Sequence, residues 1–347
     1  MNNFECSIFI GRFSIFHNAH LAILKKALTI SNKVIVVIGS SGGARTVRNP
    51  WSSIERQEMI SGCLTPDELS RISFLHMKDY LYNNNMWVSV LQEKIRNMTN
   101  GAKRIALIGY ESDETSFYLK LFPQFTFVPF KTHFDFHASN IRDFYFSHDL
   151  SYKDMVPEFS FEFLEKFKKT NSFKEIKNEK DYYDEYKKLW HGAPYSIIHT
   201  TVDCLVIKSG HILLIERKDY PGKGLLALPG GFINQNETIK DAALRELKKE
   251  TGIKINTGDL RRSIKDSKVF DDPKRSERGR TITYAFLIDL GAGPLPDVVG
   301  LDDAGAAMWL PMSDVLSMQS EFFEDHYHVI NSFIGSNFIK NEGDEIQ

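Results

Sequence analysis

The segment Leu228 to Ile253, LPGGFINQNETIKDAALRELKKETGI, constrains this chain more than any other. A Gly-Gly turn at Gly230 and Gly231 is followed by polar loop residues, then by a helical run from about Thr238 to Glu250 that ends at Gly252. Glu246 and Glu250 are four residues apart, so both carboxylates leave one face of that helix a turn apart. Two carboxylates stacked in this way repel each other unless a positive charge sits between them. Hard oxygen donors at this spacing suit Mg²⁺ or Mn²⁺, which also neutralises phosphate oxygens.

The same segment resembles the Nudix box. Gly231, Glu237, Arg245, Glu246, Leu247, Glu250, Gly252 and Ile253 match that pattern in register over its whole length. A mixed-charge surface helix closed by glycine would share the end of the pattern but not its full register. One position departs: Lys249 stands where the family carries the first Glu of its Glu-Glu pair. The substitution removes one candidate metal ligand and adds a positive charge beside the others.

At 347 residues the chain exceeds what one core usually supports, so two domains are expected. A formal net charge of -2 gives no broad electrostatic reason to expect nucleic acid or an acidic membrane as partner. Cys6, Cys63 and Cys204 are far apart and odd in number, which predicts reduced thiols in a cytoplasmic protein. No apolar run reaches the ~18 to 20 residues that span a bilayer, and Met1 to Glu5 does not begin a signal peptide.

In the first half, Ser7 to Ile10 and Val34 to Gly39 read as buried strands, with an apolar-periodic helix near Leu21 to Ile30 between them. The alternation continues with a helix over Ile54 to Ser61, a strand over Ile72 to His76 and a helix over Met86 to Met98. Strands over Arg104 to Ile108 and Phe125 to Phe130 complete it. Such alternation predicts a doubly wound parallel sheet, in which ligands bind beyond the carboxyl ends of the strands. The first strand leads into GRFSIFHNAH, with His17 and His20 where a helix begins. Helix N-termini attract anions, and imidazoles there can donate hydrogen bonds to phosphate oxygens. Two histidines three residues apart are by themselves equally a structural pair.

GRFSIFHNAH resembles the His-x-x-His signature of the nucleotidyltransferase superfamily. Asn49-Pro50-Trp51-Ser52-Ser53-Ile54-Glu55-Arg56, Gly109-Tyr110-Glu111-Ser112-Asp113 and Ser139-Asn140-Ile141-Arg142 resemble its nicotinamide mononucleotide adenylyltransferase branch. Ile15 departs from a common Pro, and Ala19 from a Gly before the second His. The resemblance implies a Rossmann-like sheet in which the 5′-phosphate of nicotinamide mononucleotide attacks the α-phosphorus of ATP, forming NAD and pyrophosphate. It places His17 and His20 at the α-phosphate and Ser139 and Arg142 on the β and γ phosphates. Gly11, Arg12, Phe13, Arg56 and Asp113 are further nucleotide-binding candidates. Arg56 is equally readable as a surface helix residue. Trp51 either stacks on the nicotinamide ring or is a buried aromatic that holds its loop.

From about Tyr152 to Trp190 the composition shifts to Phe, Tyr, Lys and Glu. Phe159, Phe163 and Phe167 mark one apolar helix face. Asn171 to Asp181 reads as charged and turn-like, with a second short helix carrying Tyr182, Tyr186, Leu189 and Trp190. The expected organisation is an adenylyltransferase domain over residues 1–170, a linker over 171–195 and a hydrolase domain over 196–347. In the last of these, Thr200 to Ile207 and His211 to Glu216 read as paired strands, Thr281 to Leu290 and Met308 to Leu310 as further strands, and Glu321 to Ile334 as a helix. This arrangement fits the α/β/α sandwich of the Nudix fold.

The two halves together resemble the bifunctional nicotinamide mononucleotide adenylyltransferase/Nudix hydrolases, whose Nudix half is similar to ADP-ribose pyrophosphatases. The resemblance implies attack of water on ADP-ribose to give AMP and ribose 5-phosphate, with Glu246, Glu250 and Gly230 as metal positions. Arg217, Gly230, Gly231, Arg278 and Arg280 are the ADP-ribose-binding candidates, the arginines being equally readable as a solvated basic loop. Asp302, Asp303, Glu277 and Asp272 are open as general base. A competing reading makes the second half a nucleotide sensor that binds without cleaving; Lys249 favours it and the retained Glu246 and Glu250 oppose it. The expected partners are ATP, nicotinamide mononucleotide and ADP-ribose, with no nucleic acid and no membrane, and a homo-oligomer is compatible with the sequence.

Overall fold

The computed structural model describes residues 4–110, 121–130 and 138–334. The chain falls into two units, Met1–Lys177 and Asn178–Gln347. In the first, strands β1 (Phe4–Gly11), β2 (Ser31–Ser41), β3 (Ile72–Lys78), β4 (Ile105–Tyr110) and β5 (Thr126–Phe130) alternate with helices α1 (Asn18–Ile30), α2 (Ser53–Ser61), α3 (Pro66–Leu69), α4 (Asn84–Thr99) and α5 (Ala138–Phe146). The strands form one parallel sheet in the order β3-β2-β1-β4-β5. The order reverses between β1 and β4, so the crevice beyond their carboxyl ends is the place where such sheets bind ligands.

The β-branched runs form strands because both of their faces are covered. Val34, Val36 and Ile38 of β2 and Phe9 of β1 face a core built with α1, α2 and α5. Ile35, Val37, Ile8 and Ile10 face the opposite core with Leu91 and Ile95 of α4. Helix α6 (Glu158–Phe167) adds Leu164 and Phe167 to the first core, with Phe161 and Phe163 packed against it.

The charged run 171–181 is not turn-like. Helix α7 is continuous over Asn171–Lys188. Lys180 and Asp184 pair at 2.9 Å and Glu185 and Lys188 at 2.6 Å along its surface. Phe173, Ile176 and Tyr183 are its buried positions, a helical spacing hidden among charges. Leu189 and Trp190, expected within this helix, lie just beyond its end and are exposed.

The second unit contains β6 (His199–Lys208), β7 (His211–Arg217), β8 (Leu226–Ala227), β9 (Gly230–Phe232), α8 (Ile239–Thr251), α9 (Thr257–Arg262), β10 (Ile264–Phe270), β11 (Thr281–Asp289), β12 (Ala304–Pro311), α10 (Met312–Val315) and α11 (His326–Ile334). The last helix begins later than Glu321, because Gln319–Glu321 forms a separate short 3-10 turn. The sheet runs β10-β11-β6-β7-β12, with β8 against β7 and β9 against β6, and it is mixed because β11 and β6 are parallel. Ala242, Ala243, Leu244 and Leu247 of α8 cover one face through Val202, Cys204 and Val206. Val329 and Ile330 of α11 cover the other through Leu205, Ile212 and Leu214. The result is the expected α/β/α sandwich. Among the described residues no helix is long and apolar enough to cross a membrane.

Just before α11, Asp325 meets Arg275 through two hydrogen bonds of 2.9 and 2.7 Å, and the two side chains are 1% and 2% exposed. Removing one partner strands a charge in a dry interior, whereas replacing both with apolar groups strands none. Arg275→Met is expected to destabilise the hydrolase unit by about 3 to 5 kcal/mol in urea denaturation. The double variant Arg275→Met/Asp325→Leu should recover most of that loss.

Candidate functional site

The first site lies where β1 ends. Gly11 is required there because a Cβ would come within 2.8 Å of the Phe13 ring. Phe13 and Ile15 both take positive φ, 51° and 87°. For a β-branched residue such as Ile15 this is strained backbone, of the kind that persists where the surroundings over-determine a loop. The surroundings do so: Phe13, Ile15 and Phe16 are at most 2% exposed.

The loop ends in an N-cap built from two histidines. The backbone N–H of His20 donates to Nδ1 of His17 and the backbone N–H of His17 donates to Nδ1 of His20, each at 3.4 Å. The rings stack with centroids 3.5 Å apart. With both Nδ1 atoms accepting, each ring carries its proton on Nε2. Burial, and then the neighbouring His17, hold the His20 imidazole well below its usual pKa, so it stays neutral at neutral pH. The geometry therefore places two imidazoles at a helix N-terminus, where phosphate oxygens are sought, with the His20 ring N–H bonded to the Ile15 carbonyl.

Neighbouring motifs converge on this loop. Arg142 on α5 donates to the Ser14 carbonyl at 3.0 Å, and the Ser14 hydroxyl donates to Asn49 at 2.8 Å. Ser139 is exposed on the first turn of α5. Gly109 and Tyr110 end β4, next to β1. Asp113 lies outside the described residues.

Three expectations change. Arg56 is 1% exposed and lies beneath the loops rather than on a nucleotide surface. Its guanidinium donates to the carbonyls of Arg12, Gly39 (2.6 Å), Ser40 (3.0 Å), Trp51 (3.1 Å) and Ser52 (3.3 Å), tying the ends of β1 and β2 to the start of α2. Burial brings its pKa down to about 10, so it remains charged at neutral pH. Trp51 is the buried aromatic of the two readings: it is 1% exposed, with its ring between Tyr145 and Phe167. Phe13 belongs to the same core, so its contribution to a nucleotide is limited to its backbone and to the position of His20, 5.1 Å away ring to ring.

The second site lies between β9 and α8. Thr238 caps the helix and Gly252, at φ 60°, ends it. Glu246 and Glu250 are 6% and 4% exposed, on the side turned toward the sheet. A Cβ at Gly230 would meet the Val202 carbonyl at 2.1 Å and Asp203 at 2.5 Å, and one at Gly231 would meet Glu246 at 2.9 Å. The Gly-Gly pair is thus the condition for this close approach. The Gly230 N–H donates to Glu250 at 2.9 Å, and Thr283 donates to Asp203 at 2.5 Å. Arg245 is held by Glu237 at 2.8 and 2.6 Å and reaches Glu246. Hydrogen bonds from Arg245 and from the Asn234 N–H bring Glu237 down to about 2.

Burial, and then the like charges of Glu246 and Asp203, push the Glu250 carboxyl up to about 8. A buried acid of this kind ionises readily only beside a cation, and the donors are all hard oxygens, so the site fits a divalent metal. Among the described residues no three His, Cys, Asp or Glu side chains converge on one metal position. Lys249 sits 2.6 Å from Asp302 and 3.7 Å from Glu246. The Lys249 hydrogen bond holds the Asp302 carboxyl below its usual range, which argues against Asp302 as general base. Asp303 is exposed, Asp272 caps the Lys274 N–H at 2.7 Å, and Glu277 is half-buried.

Arg217 lies 4.4 Å from the centroid of the Phe323 ring, and Arg278 lies 5.4 Å from that of Phe232. Arg280 instead pairs with Asp271 at 3.6 Å. Two groups here have no readable sequence signal. Glu179 of α7 accepts from the Tyr183 hydroxyl at 3.1 Å and the Gly222 N–H at 3.2 Å. Glu324, between aromatic residues and α11, is the other.

Comparison with known proteins bears on both halves. The NUDIX domain family matches residues 198–333 and the cytidylyltransferase-like family residues 8–143. The nicotinamide/nicotinic acid mononucleotide adenylyltransferase of Acinetobacter baylyi is 32% identical over 180 residues, 52% of this chain and 95% of the relative. The ADP-ribose pyrophosphatase of Methanocaldococcus jannaschii is 34% identical over 133 residues, 38% of this chain and 71% of the relative. A crystal structure of a bifunctional NMN adenylyltransferase/ADP ribose pyrophosphatase from Francisella tularensis, complexed with AMP and a Mn ion, is 34% identical. It superposes with a TM-score of 0.90 over 95% of this chain and 98% of that one. With both sites and both folds in one polypeptide, the chain belongs to the family of bifunctional nicotinamide mononucleotide adenylyltransferase/Nudix hydrolases.

Proposed function

We propose that residues 1–170 transfer AMP from ATP to nicotinamide mononucleotide, giving NAD and pyrophosphate. In the same reading residues 196–347 hydrolyse ADP-ribose to AMP and ribose 5-phosphate with Mg²⁺ or Mn²⁺, and both reactions are cytoplasmic. The observation that carries the proposal is the presence, in one chain, of a histidine-capped helix at the switch point of a parallel sheet and a buried carboxylate pair under a Gly-Gly strand. The A. baylyi and M. jannaschii relatives bear the two activities in their names, and the F. tularensis relative bears both.

In the transferase, nucleophile and leaving group both belong to the substrates. The protein's part is alignment and stabilisation of charge on the phosphoryl oxygens. The Nε2–H of His17 suits the α-phosphate, His20 joins it once its own N–H turns from the Ile15 carbonyl to the phosphate, and Arg142 and Ser139 suit the outer phosphates. Arg56 acts through the loops that it ties together. In the hydrolase, a divalent cation held by Glu246, Glu250 and the Gly230 backbone would supply Lewis-acid polarisation of the diphosphate. Arg245 holds Glu246, Glu237 holds Arg245, and Arg217 and Arg278 suit the diphosphate anion.

His17→Ala and His20→Ala are each expected to lower kcat for NAD formation about 10²- to 10³-fold, the scale of one preorganised donor, with ADP-ribose hydrolysis unchanged. An equal fall in both activities would mark a folding defect instead.

Glu250→Gln, assayed for AMP release from ADP-ribose, is expected to lose about a thousandfold or more in rate, several kcal/mol of metal-borne stabilisation. NAD synthesis should continue. Chelation of the metal should abolish AMP release by the native chain. Native protein that binds ADP-ribose without releasing AMP would make the second unit a sensor.

A further inference from the structure

Among the described residues of the hydrolase unit, Glu324 is the buried carboxylate whose oxygens take no hydrogen bond, and the reactions above do not use it. The Glu324 side chain is 7% exposed, and its backbone is left-handed, with φ 45°. Among the described residues neither of its oxygens accepts a hydrogen bond. The Arg278 guanidinium, its ion-pair partner, remains 3.6 Å away, beyond bonding distance. Buried acceptors without donors are rare, because the lost hydration is not offset by anything in the protein.

Neighbouring acids show that this is not loose packing. Asp325, the next residue, takes both of its hydrogen bonds from Arg275. Glu179 receives the Tyr183 hydroxyl and the Gly222 N–H. Burial, and after it the charge of Glu324, raise the Glu179 carboxyl.

The groups around Glu324 indicate what it faces. Arg278 lies over the Phe232 ring at 5.4 Å and the Phe323 ring at 6.0 Å, and Arg217 lies over Phe323 at 4.4 Å. Arg217 also feels the charges of both Glu324 and Glu250. A ligand that meets two guanidiniums with an anion, and a carboxylate with hydroxyl donors, is a sugar-bearing diphosphate. The two oxygens of a carboxylate match the two hydroxyls of a vicinal diol, the pairing by which acidic residues read ribose in dinucleotide sites.

We propose that Glu324 accepts both hydroxyl hydrogens of a ribose cis-diol while Arg217 and Arg278 face the diphosphate of the same molecule. The proposal rests on the reading of this unit as an ADP-ribose hydrolase. It makes Glu324 a specificity-determining residue, selecting diol-bearing substrates over those whose diol is missing. ADP-ribose has two such diols, one on the adenosine ribose and one on the terminal ribose.

The test compares ADP-ribose with 2′-deoxy-ADP-ribose and 2″-deoxy-ADP-ribose on the full native chain and on Glu324→Gln, which keeps the shape but exchanges an acceptor for a donor. The native chain should discriminate against one of the two analogues by about ten- to a hundredfold in kcat/KM, through KM, the scale of hydrogen bonds to a charged acceptor. Which analogue suffers identifies the ring. Glu324→Gln should cost ADP-ribose more than it costs that analogue, which keeps one hydroxyl of the diol, so that the gap between the two narrows, with kcat within about twofold. Two results would overturn the proposal: both analogues used as well as ADP-ribose by the native chain, or an equal loss for all three substrates in Glu324→Gln. The native comparison needs no variant, so a misfolded Glu324→Gln leaves the test in force. Calorimetric titration of the same three compounds without metal reads the ratio without turnover. Discrimination in binding with no hydrolysis supports the diol site while sinking the hydrolase reading, and absence of ADP-ribose binding sinks both.

Discussion

The close approach of β9 to β6 and α8 is the constraint around which the hydrolase unit is built. Only residues without side chains fit at Gly230 and Gly231, where a Cβ would strike Val202, Asp203 or Glu246. That proximity gathers three carboxylates, Asp203, Glu246 and Glu250, into a space largely closed to water. Such a cluster is unfavourable on its own, since each buried charge loses its hydration and repels the others. The structure answers part of the demand with the Gly230 N–H, the Thr283 hydroxyl and the Arg245 guanidinium. The remaining charge is what a divalent cation at Glu246 and Glu250 would neutralise in the proposed hydrolase. The acids thus define both the fold's local strain and its chemistry.

The first unit meets the same problem with the opposite sign. Arg56 buries a cation and surrounds it with backbone carbonyls from three segments. Those segments include the carboxyl ends of β1 and β2, where a parallel sheet opens to its ligand. A strained loop holding Phe13 and Ile15 at positive φ then delivers the chain to the paired histidines. The strain and the buried guanidinium work together, because a loop fixed from below need not reorganise when a phosphate arrives.

Much of this was readable beforehand, and the reasons for the rest are physical. Strands β1, β2 and β4 are apolar runs covered on both faces, and the box helix combines a cap, an apolar stripe and a closing glycine. These features are local, so the sequence displays them. Strand β10 gives no apolar signal because it lies at the edge of its sheet, carrying Lys265, Asp266 and Lys268, with Phe270 as its one buried position. Helix α7 was hidden because three buried positions are scattered among lysines and glutamates. Arg56 and Trp51 sit inside a recognisable motif, but a motif does not say whether a side chain faces ligand or core; that depends on the Gly39 carbonyl and the Tyr145 ring, brought close only by folding. Glu324 is harder still, since what sets it apart is the lack of a donor within reach.

Helix α7 also bears on where the hydrolase unit begins in the chain. The sheet of the hydrolase begins only at His199, yet the Gly222 N–H is met by Glu179, and Tyr183 is buried near it. Tyr186 and Trp190 lie against the His199 ring at 5.7 and 5.6 Å. A chain cut at the edge of the sheet would lack those groups. The side chains that complete the hydrolase unit therefore start in the later turns of α7, whereas Phe173 of its opening turn belongs to the core of the first unit.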